Sequence, residues 1–341
     1  MIPRIEIHFS LRQQKLFVLG RPYKPDSDEF LLDHSRSGIL LALKALGLPQ
    51  GDGVGVMVYN CHTVADAIEQ SGCKPVFLDV TDELKLDMDD LGRKACRMSA
   101  IIVTHLFGIV NDIKRIKEVY PNLVIIEDCA HAYGMGEMYG DFATFSIGQG
   151  KLPSIGDGGI LKVLNAKYLA RIAELYVALP EYTIVQSALL FMNIWAKSLM
   201  QMRLFYGWMT LPLKKRRGSF SVKGSILPKK MCRGVSAVYA AQKGEIGLKI
   251  QERKENAQKL IPQLPEKFSH IMIGVNAFML VVICDKPEQV QDYFYKQGVD
   301  TDTHFARFLD WVKQFGYVQG QCPKAEKLVS HLLMVPIYTT L

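Results

Sequence analysis

The sequence predicts an α/β protein: a large domain built on a parallel sheet, followed by a smaller α/β domain. Three observations carry that reading. Val124-Ile125-Ile126 is a short apolar run without alternation, the pattern of a strand buried on both faces of a parallel sheet. Gly51 to Val80 reads strand, helix, strand, and Ala100 to Tyr120 reads strand, helix, so that the two periodicities take turns along the chain. With 341 residues, 49% of them hydrophobic, the chain can bury one large core and a second, smaller one.

Taken in order, Asp33 to Gly47 predicts a helix that opens at Ser37-Gly38 and closes at Gly47. A Ser-Gly at a helix start either caps it or binds phosphate, because free N–H groups and the helix dipole point there. Next come VGVMVY, TVADAIEQSG and KPVFLDV as strand, helix and strand, with Asp79 ending the second strand. AIIVTHLFG and DIKRIKEVY follow as strand and helix. His105 sits at that strand's end, as a structural or a catalytic histidine. Glu127 and Asp128 directly follow the Val124 run, and ligands of open α/β sheets bind at the carboxyl ends of strands. A further apolar segment, Phe142 to Ile147, leads into glycines around Lys151. Asp128, Ser146 and Lys151 are thereby expected on neighbouring strand ends. ILKVL closes the sheet, and a helical region starts near Lys167.

Tyr182 to Ala196 is uncharged, but Lys197 and Arg203 interrupt it before the ~20 apolar residues that a bilayer span requires. Lys214-Lys215-Arg216-Arg217 follows. This composition, within an insertion over about 182–233, fits a helix lying in an anionic membrane surface or an apolar face packed in a dimer interface. Ser236 to Lys254 predicts an amphipathic helix leading to a small domain, so that the chain divides into 1–254 and 255–341. IMIGV and AFMLVVIC are strand-like there, with a helix near Pro287 to Gln297.

Seven scattered cysteines show neither a disulfide framework nor metal-ligand spacing, and Met1 to Gly20 has no signal-peptide core, so a reducing cytoplasm is the expectation. The net charge of +7 is local: between Glu181 and Glu245 there is no acid and there are eleven Lys/Arg, leaving the rest of the chain slightly acidic. With no helix-turn-helix or basic-aromatic motif, nucleic acid is not expected as a partner.

An acid and a lysine converging at strand ends suit pyridoxal phosphate (PLP), whose aldehyde condenses with a lysine amine while a carboxylate keeps the ring nitrogen protonated. A lysine in a Gly-rich loop is otherwise a solvated surface group. The stretch resembles the signature of the DegT/StrS nucleotide-sugar aminotransferases, which runs I-E-D-x-A-Q/H-A-x-G, G-D-x-A-x-F-S-F, then Lys five residues after that Ser, then G-E-G-G. Ile126 to Ala132, Gly140 to Ile147, Lys151 and Gly156 to Gly159 match it. Tyr59, Ala67-Ile68, Gly72 and Pro75 to Asp79 agree with the family's earlier strand-helix-strand. Ser37-Gly38 match S-G-T, with Ile39 replacing the threonine, and His105 falls in V-H-L-F-G. The family's ring-stacking aromatic corresponds to Cys61, which leaves His62 to stack or to line the wall. GVDTDTHF resembles G-I-x-T-x-x-H-Y/F and brings His304 to the site mouth. MVPIYTTL resembles L-P-I-Y-P-S-L, after which the family has a last helix; the sequence stops at Leu341, so that helix is missing or the sequence is truncated.

The resemblance implies a fold-type-I PLP-dependent transferase with a mostly parallel mixed sheet and a homodimer with shared active sites. It implies transamination from an amino acid, usually glutamate, to a nucleotide-linked keto-sugar for cell-surface polysaccharide or related sugars. Lys151 would hold the cofactor and move the proton, Asp128 pair with the ring nitrogen, and His131 contact the ring or its phenolic oxygen. Ser146 with Ser37, Gly38 and the backbone at Ile39 would hold the phosphate, with Cys61 and His62 beside the ring and His304 and His105 toward substrate. Two other classes compete: family dehydratases, which replace the lysine with histidine and which Lys151 argues against, and a non-catalytic or sensory protein on the same scaffold.

Overall fold

The computed structural model describes residues 1–341 except 7–8, 208–223, 266–267, 269, 304–307 and 340–341. Strands β1 (Glu29–Leu32), β2 (Gly53–Met57), β3 (Lys74–Leu78), β4 (Ala100–Thr104), β5 (Val124–Asp128), β6 (Phe142–Ser146) and β7 (Gly159–Val163) form one sheet in the order β1-β7-β6-β5-β4-β2-β3. From β6 to β3 every pairing is parallel, while β7 runs antiparallel to both β6 and β1. The expected mostly parallel mixed sheet is therefore present. Its central strands are apolar because helices cover both faces: all of β4 is buried, as are Ile125 to Asp128 of β5.

The helices are α1 (Leu11–Leu19), α2 (Ser35–Leu46), α3 (His62–Gln70), α4 (Met88–Lys94), α5 (Ile113–Val119), α6 (Leu169–Val177) and α7 (Ile184–Met200), then α8 (Arg233–Gln242), α9 (Ile246–Leu260), α10 (Pro287–Lys296), α11 (Phe308–Val312) and α12 (Pro323–Leu328). Helix α2 opens two residues before the expected Ser37, with His34 as its N-cap in extended conformation. Ser37 and Gly38 thus lie inside the first turns. Gly38 is needed for packing: a Cβ there would stand 3.3 Å from both Leu161 Cβ and Thr144 Cγ2, so glycine lets α2 lie close on β6 and β7. The single helix expected over Ser236 to Lys254 is two, α8 and α9, joined by a short 3-10 turn at Lys243–Glu245 where Gly244 interrupts the pattern.

Strands β8 (His270–Ile273), β9 (Leu280–Ile283) and β10 (Leu332–Val335) make a second, antiparallel sheet in the order β10-β9-β8. Alternation along β9 sends Leu280 and Val282 into a small core with Ala257, Leu260, Phe294 and Leu333, and sends Val281 into the large core. The expected division at 254/255 falls inside α9, which runs unbroken into the small core.

Candidate active site

The site is set by the carboxyl ends of β4, β5 and β6. Register places Thr104, Asp128 and Thr144 side by side across the three strands, and Val103, Glu127 and Ala143 on the opposite face. Asp128 is held on both oxygens: Oδ1 accepts from the Ala130 N–H at 3.1 Å and Oδ2 from the Thr104 hydroxyl at 3.1 Å. Thr104 is itself oriented by Asn60 Nδ2 at 2.7 Å. Burial pushes the Asp128 carboxyl above its usual range, opposed by those two hydrogen bonds and by the neighbouring Lys151 and His105.

Lys151 lies in the loop between β6 and β7, which is clipped shut at its base. Ile147 N–H donates to Gly158 O and Ile155 N–H to Ile147 O, both at 3.0 Å. Gly158 is required there, with φ +110° and a Cβ position 2.7 Å from Ile147 Cγ1. Farther out, the Ser154 hydroxyl receives the Gly150 N–H at 3.0 Å and donates to Glu6 O at 2.6 Å. The loop puts the Lys151 Nζ 5.7 Å from the Phe278 ring centroid. Loss of water around the amine lowers its pKa, against the opposing influence of Cys61 and Asp128. The acid and the lysine therefore stand within electrostatic reach of each other, as expected, and Cys61 stands with them.

His131 is buried in a ring stack, 5.3 Å from Phe107 and 4.6 Å from Phe278, with interplanar angles of 19° and 14°. Its Nδ1 accepts from the Phe107 N–H at 3.4 Å. Asn276 Nδ2 anchors the adjoining chain by donating to His131 O and Tyr133 O. Ser146 pairs with Gly159, whose Cβ position would stand 2.2 Å from Ser35 N, so the N-terminus of α2 abuts the end of β6. Ser35 and Thr144 have buried hydroxyls without a hydrogen-bond partner among the described residues.

Several expectations change here. His105 does not face substrate: it is fully buried, its Nδ1 accepts from the Asn111 N–H at 3.1 Å and its Nε2 meets Glu127 Oε2 at 3.0 Å. Ile39 is 1% exposed and belongs to the large core, because the fifth residue of α2 turns toward the sheet. His62, the first residue of α3 after Cys61 at the N-cap, packs edge-on against Trp311 at 5.3 Å. The Ser37 N–H is already given to His34 O at 3.1 Å, while its buried hydroxyl, like those of Ser35 and Thr144, has no hydrogen-bond partner among the described residues. The first free N–H groups of α2 therefore precede Ser37. His304 and Lys214 to Arg217 lie outside the described residues. Sequence reasoning missed Thr104, Asn60, Phe107, Phe278 and Ser35. Thr104 was within reach, being the residue before His105 and in register with Asp128.

The fold and site define an α/β protein with a lysine and a carboxylate converging at the carboxyl edge of a mostly parallel sheet. Residues 35–179 match the model of the DegT/DnrJ/EryC1/StrS aminotransferase family. GDP-perosamine synthase of Escherichia coli O157:H7 is 36% identical over 139 residues, spanning 38% of this chain and 38% of the relative. A pleiotropic regulatory protein of Geobacillus stearothermophilus is 25% identical over 89% of this chain and 78% of its own. The fold is shared with solved structures. Spr1654 of Streptococcus pneumoniae in its PLP form aligns with TM-score 0.73 at 18% identity, covering 100% of this chain and 94% of that one. GDP-4-keto-6-deoxymannose-3-dehydratase with bound GDP-perosamine aligns with TM-score 0.72 at 17% identity, covering 100% and 97%.

Proposed function

We propose that this protein is a PLP-dependent aminotransferase acting on a nucleotide-linked keto-sugar, with an amino acid, glutamate in this reading, as donor. The observation that carries the proposal is the desolvated Lys151 amine within electrostatic reach of Asp128, whose carboxylate is fixed on both oxygens. The residues present fit the cofactor. The partnerless hydroxyls of Ser35 and Thr144 and the start of α2 beside Ser146 supply unspent polar groups for a phosphate. Ser35 joins Ser37, whose buried hydroxyl is likewise without a partner among the described residues.

When bound, PLP supplies an aldehyde for the lysine and a ring that draws electrons from the adjoining carbon. The chain's own residues do the rest. Lys151, with a lowered pKa, keeps a larger neutral fraction near neutral pH than a surface lysine and can take and return a proton. Asp128 provides the negative charge that holds a ring nitrogen protonated, and Thr104 with Ala130 keeps that charge pointed at one place. His131, clamped between Phe107 and Phe278, presents a fixed ring edge. Cys61 offers less stacking surface than the family's aromatic, so the ring would rest chiefly on its polar anchors.

The reading includes a homodimer, a cytoplasmic location and a place in cell-surface polysaccharide or related sugar synthesis. A lysine at position 151 disfavours the dehydratase class. A regulatory role on the same scaffold draws support from Cys61 and from the regulatory name of one relative. Adding PLP to the purified protein should raise visible absorbance, and borohydride should fix the label on Lys151 and on no other peptide. Lys151→Ala should abolish both. Label elsewhere refutes the site; label on Lys151 without amino transfer from glutamate to any nucleotide-linked keto-sugar favours the regulatory reading.

A further inference from the structure

Helix α7 is apolar on both of its faces. Inward, Phe191 stacks edge-on with Phe9 and Phe17 at 5.3 and 5.4 Å, and Ile194 is fully buried against the Lys151 loop. Its start is fixed by a capping box between Thr183 and Gln186. Outward, Val185, Leu189, Met192, Trp195, Leu199 and Met202 follow one another at three- and four-residue steps, each between 42% and 68% exposed. Seventeen residues make this stripe about 25 Å long. Ile184 before it and Leu204 after it are 90% and 85% exposed. A surface helix of a globular protein carries a mainly polar face toward water, whereas the exposed positions of this one are mainly apolar, with Asn193 as a polar exception.

The segment of the sequence that carries the stripe is basic. From Tyr182 to Gly244 the sequence holds no acid and eleven Lys/Arg, among them Lys197 within α7 and the exposed Arg203 just beyond it. Two copies joined symmetrically through this face would set basic segment against basic segment. An anionic bilayer offers the opposite sign and an apolar layer beneath it. No helix among the described residues is long and apolar enough to cross a membrane, so the contact lies in the surface plane.

We propose that α7 docks this protein on an anionic lipid surface, with the stripe from Val185 to Met202 in the headgroup and acyl boundary and Lys197 and Arg203 at the headgroups. Trp195 near the middle of the stripe suits that level, where an indole is favoured. The docking is independent of the reaction assigned above.

The test is sedimentation of the purified full chain with vesicles of phosphatidylcholine alone or mixed with phosphatidylglycerol. At low salt the bound fraction should be about tenfold higher on the anionic vesicles. It should fall as the screening length shrinks from ~10 Å at 0.1 M salt to ~3 Å at 1 M. Binding should blue-shift tryptophan emission in the native chain and not in Trp195→Phe. The double variant Leu189→Glu, Trp195→Glu, which alters exposed positions only and should keep the native circular dichroism, should lose the binding. Failure to sediment with anionic vesicles at low salt overturns the proposal, as does undiminished binding by the double variant. If sedimentation velocity finds a dimer that the double variant splits, with no vesicle binding, the face belongs to a second copy.

Discussion

Glu127 and Asp128 are consecutive acids at the end of one buried strand, and the two sides of that strand give them opposite fates. Side chains alternate across a sheet, so the acids point into different surroundings. On its side Glu127 is saturated: Oε1 accepts from the Tyr139 N–H at 2.7 Å and the Gly140 N–H at 2.6 Å, and Oε2 meets His105 at 3.0 Å. Because His105 Nδ1 is already accepting from Asn111, its Nε2 carries the proton toward Glu127. Although His105, Glu127 and Cys129 stand close enough together to suggest a metal site, the histidine and the carboxylate are spent on protein hydrogen bonds. On the other side Asp128 accepts from two donors among the described residues and stands within electrostatic reach of a lysine. Charge at a strand end thus becomes structural or chemical according to how many donors the fold supplies.

Asp128→Asn and Glu127→Gln should separate those fates most sharply. The Asp128 change keeps shape and removes the charge, so turnover should fall by about a hundredfold or more, ~2.7 kcal/mol, with the folding midpoint little moved and PLP still retained. Steady-state kinetics within about threefold of the parent would erase the distinction. The Glu127 change should do the reverse: two buried N–H groups and a histidine would share a weaker acceptor, at about 2–3 kcal/mol of stability by denaturant unfolding. The turnover of the folded fraction should stay near that of the parent.

A smaller effect reads the same contrast at Lys151. The negative charge of Asp128 favours the ammonium form of Lys151, so Asp128→Asn should lower that pKa further and raise the neutral fraction at a given pH. Acylation of Lys151 in the cofactor-free protein, followed by peptide mapping near neutral pH, should then run about threefold faster, the equivalent of half a pKa unit. In Glu127→Gln the rate should not change. A slower rate in Asp128→Asn would mean that the two groups are not coupled.

These acids were legible in the sequence because a strand of apolar residues followed by two acids has one reading in a parallel sheet. Lys151 and Ser146 were legible because the chain between them and β5 is short. What the sequence could not carry was direction. Ser37-Gly38 looked like a helix start, yet the N-cap is His34, whose side chain is occupied by Asp33 at 3.2 Å and Asp157 at 3.4 Å instead of capping its own helix. Gly38 was conspicuous for a packing reason. The hydroxyl expected at Ile39 is missing because that residue fills the core. Phe278 and Asn276 reach the site from a segment more than a hundred residues downstream of Lys151, where a strand pattern gives no sign of a contact. The apolar character of α7 was plain, but only the fold divides it into a face against Phe9 and Phe17 and a face left outside.

The smallest effect lies one step behind Asp128, at Thr104. Its hydroxyl donates to the carboxylate and so favours the charged form, opposing the burial that raises the Asp128 pKa. Thr104→Val keeps the shape of the side chain and removes that donor, so the Asp128 pKa should rise and the acid limb of the activity profile move to higher pH. The loss of one hydrogen bond to a charged group, about 1.5 kcal/mol at most where the remaining donor and Lys151 compensate in part, corresponds to a shift of up to about one unit. Thr104→Ser keeps the donor and should restore the limb. Asn60 loses its acceptor in the valine variant and not in the serine one, so stability should fall only in the former. If both variants shift the limb equally, the hydroxyl is not what orients Asp128, and the strand backbone alone sets the chemical side of β5.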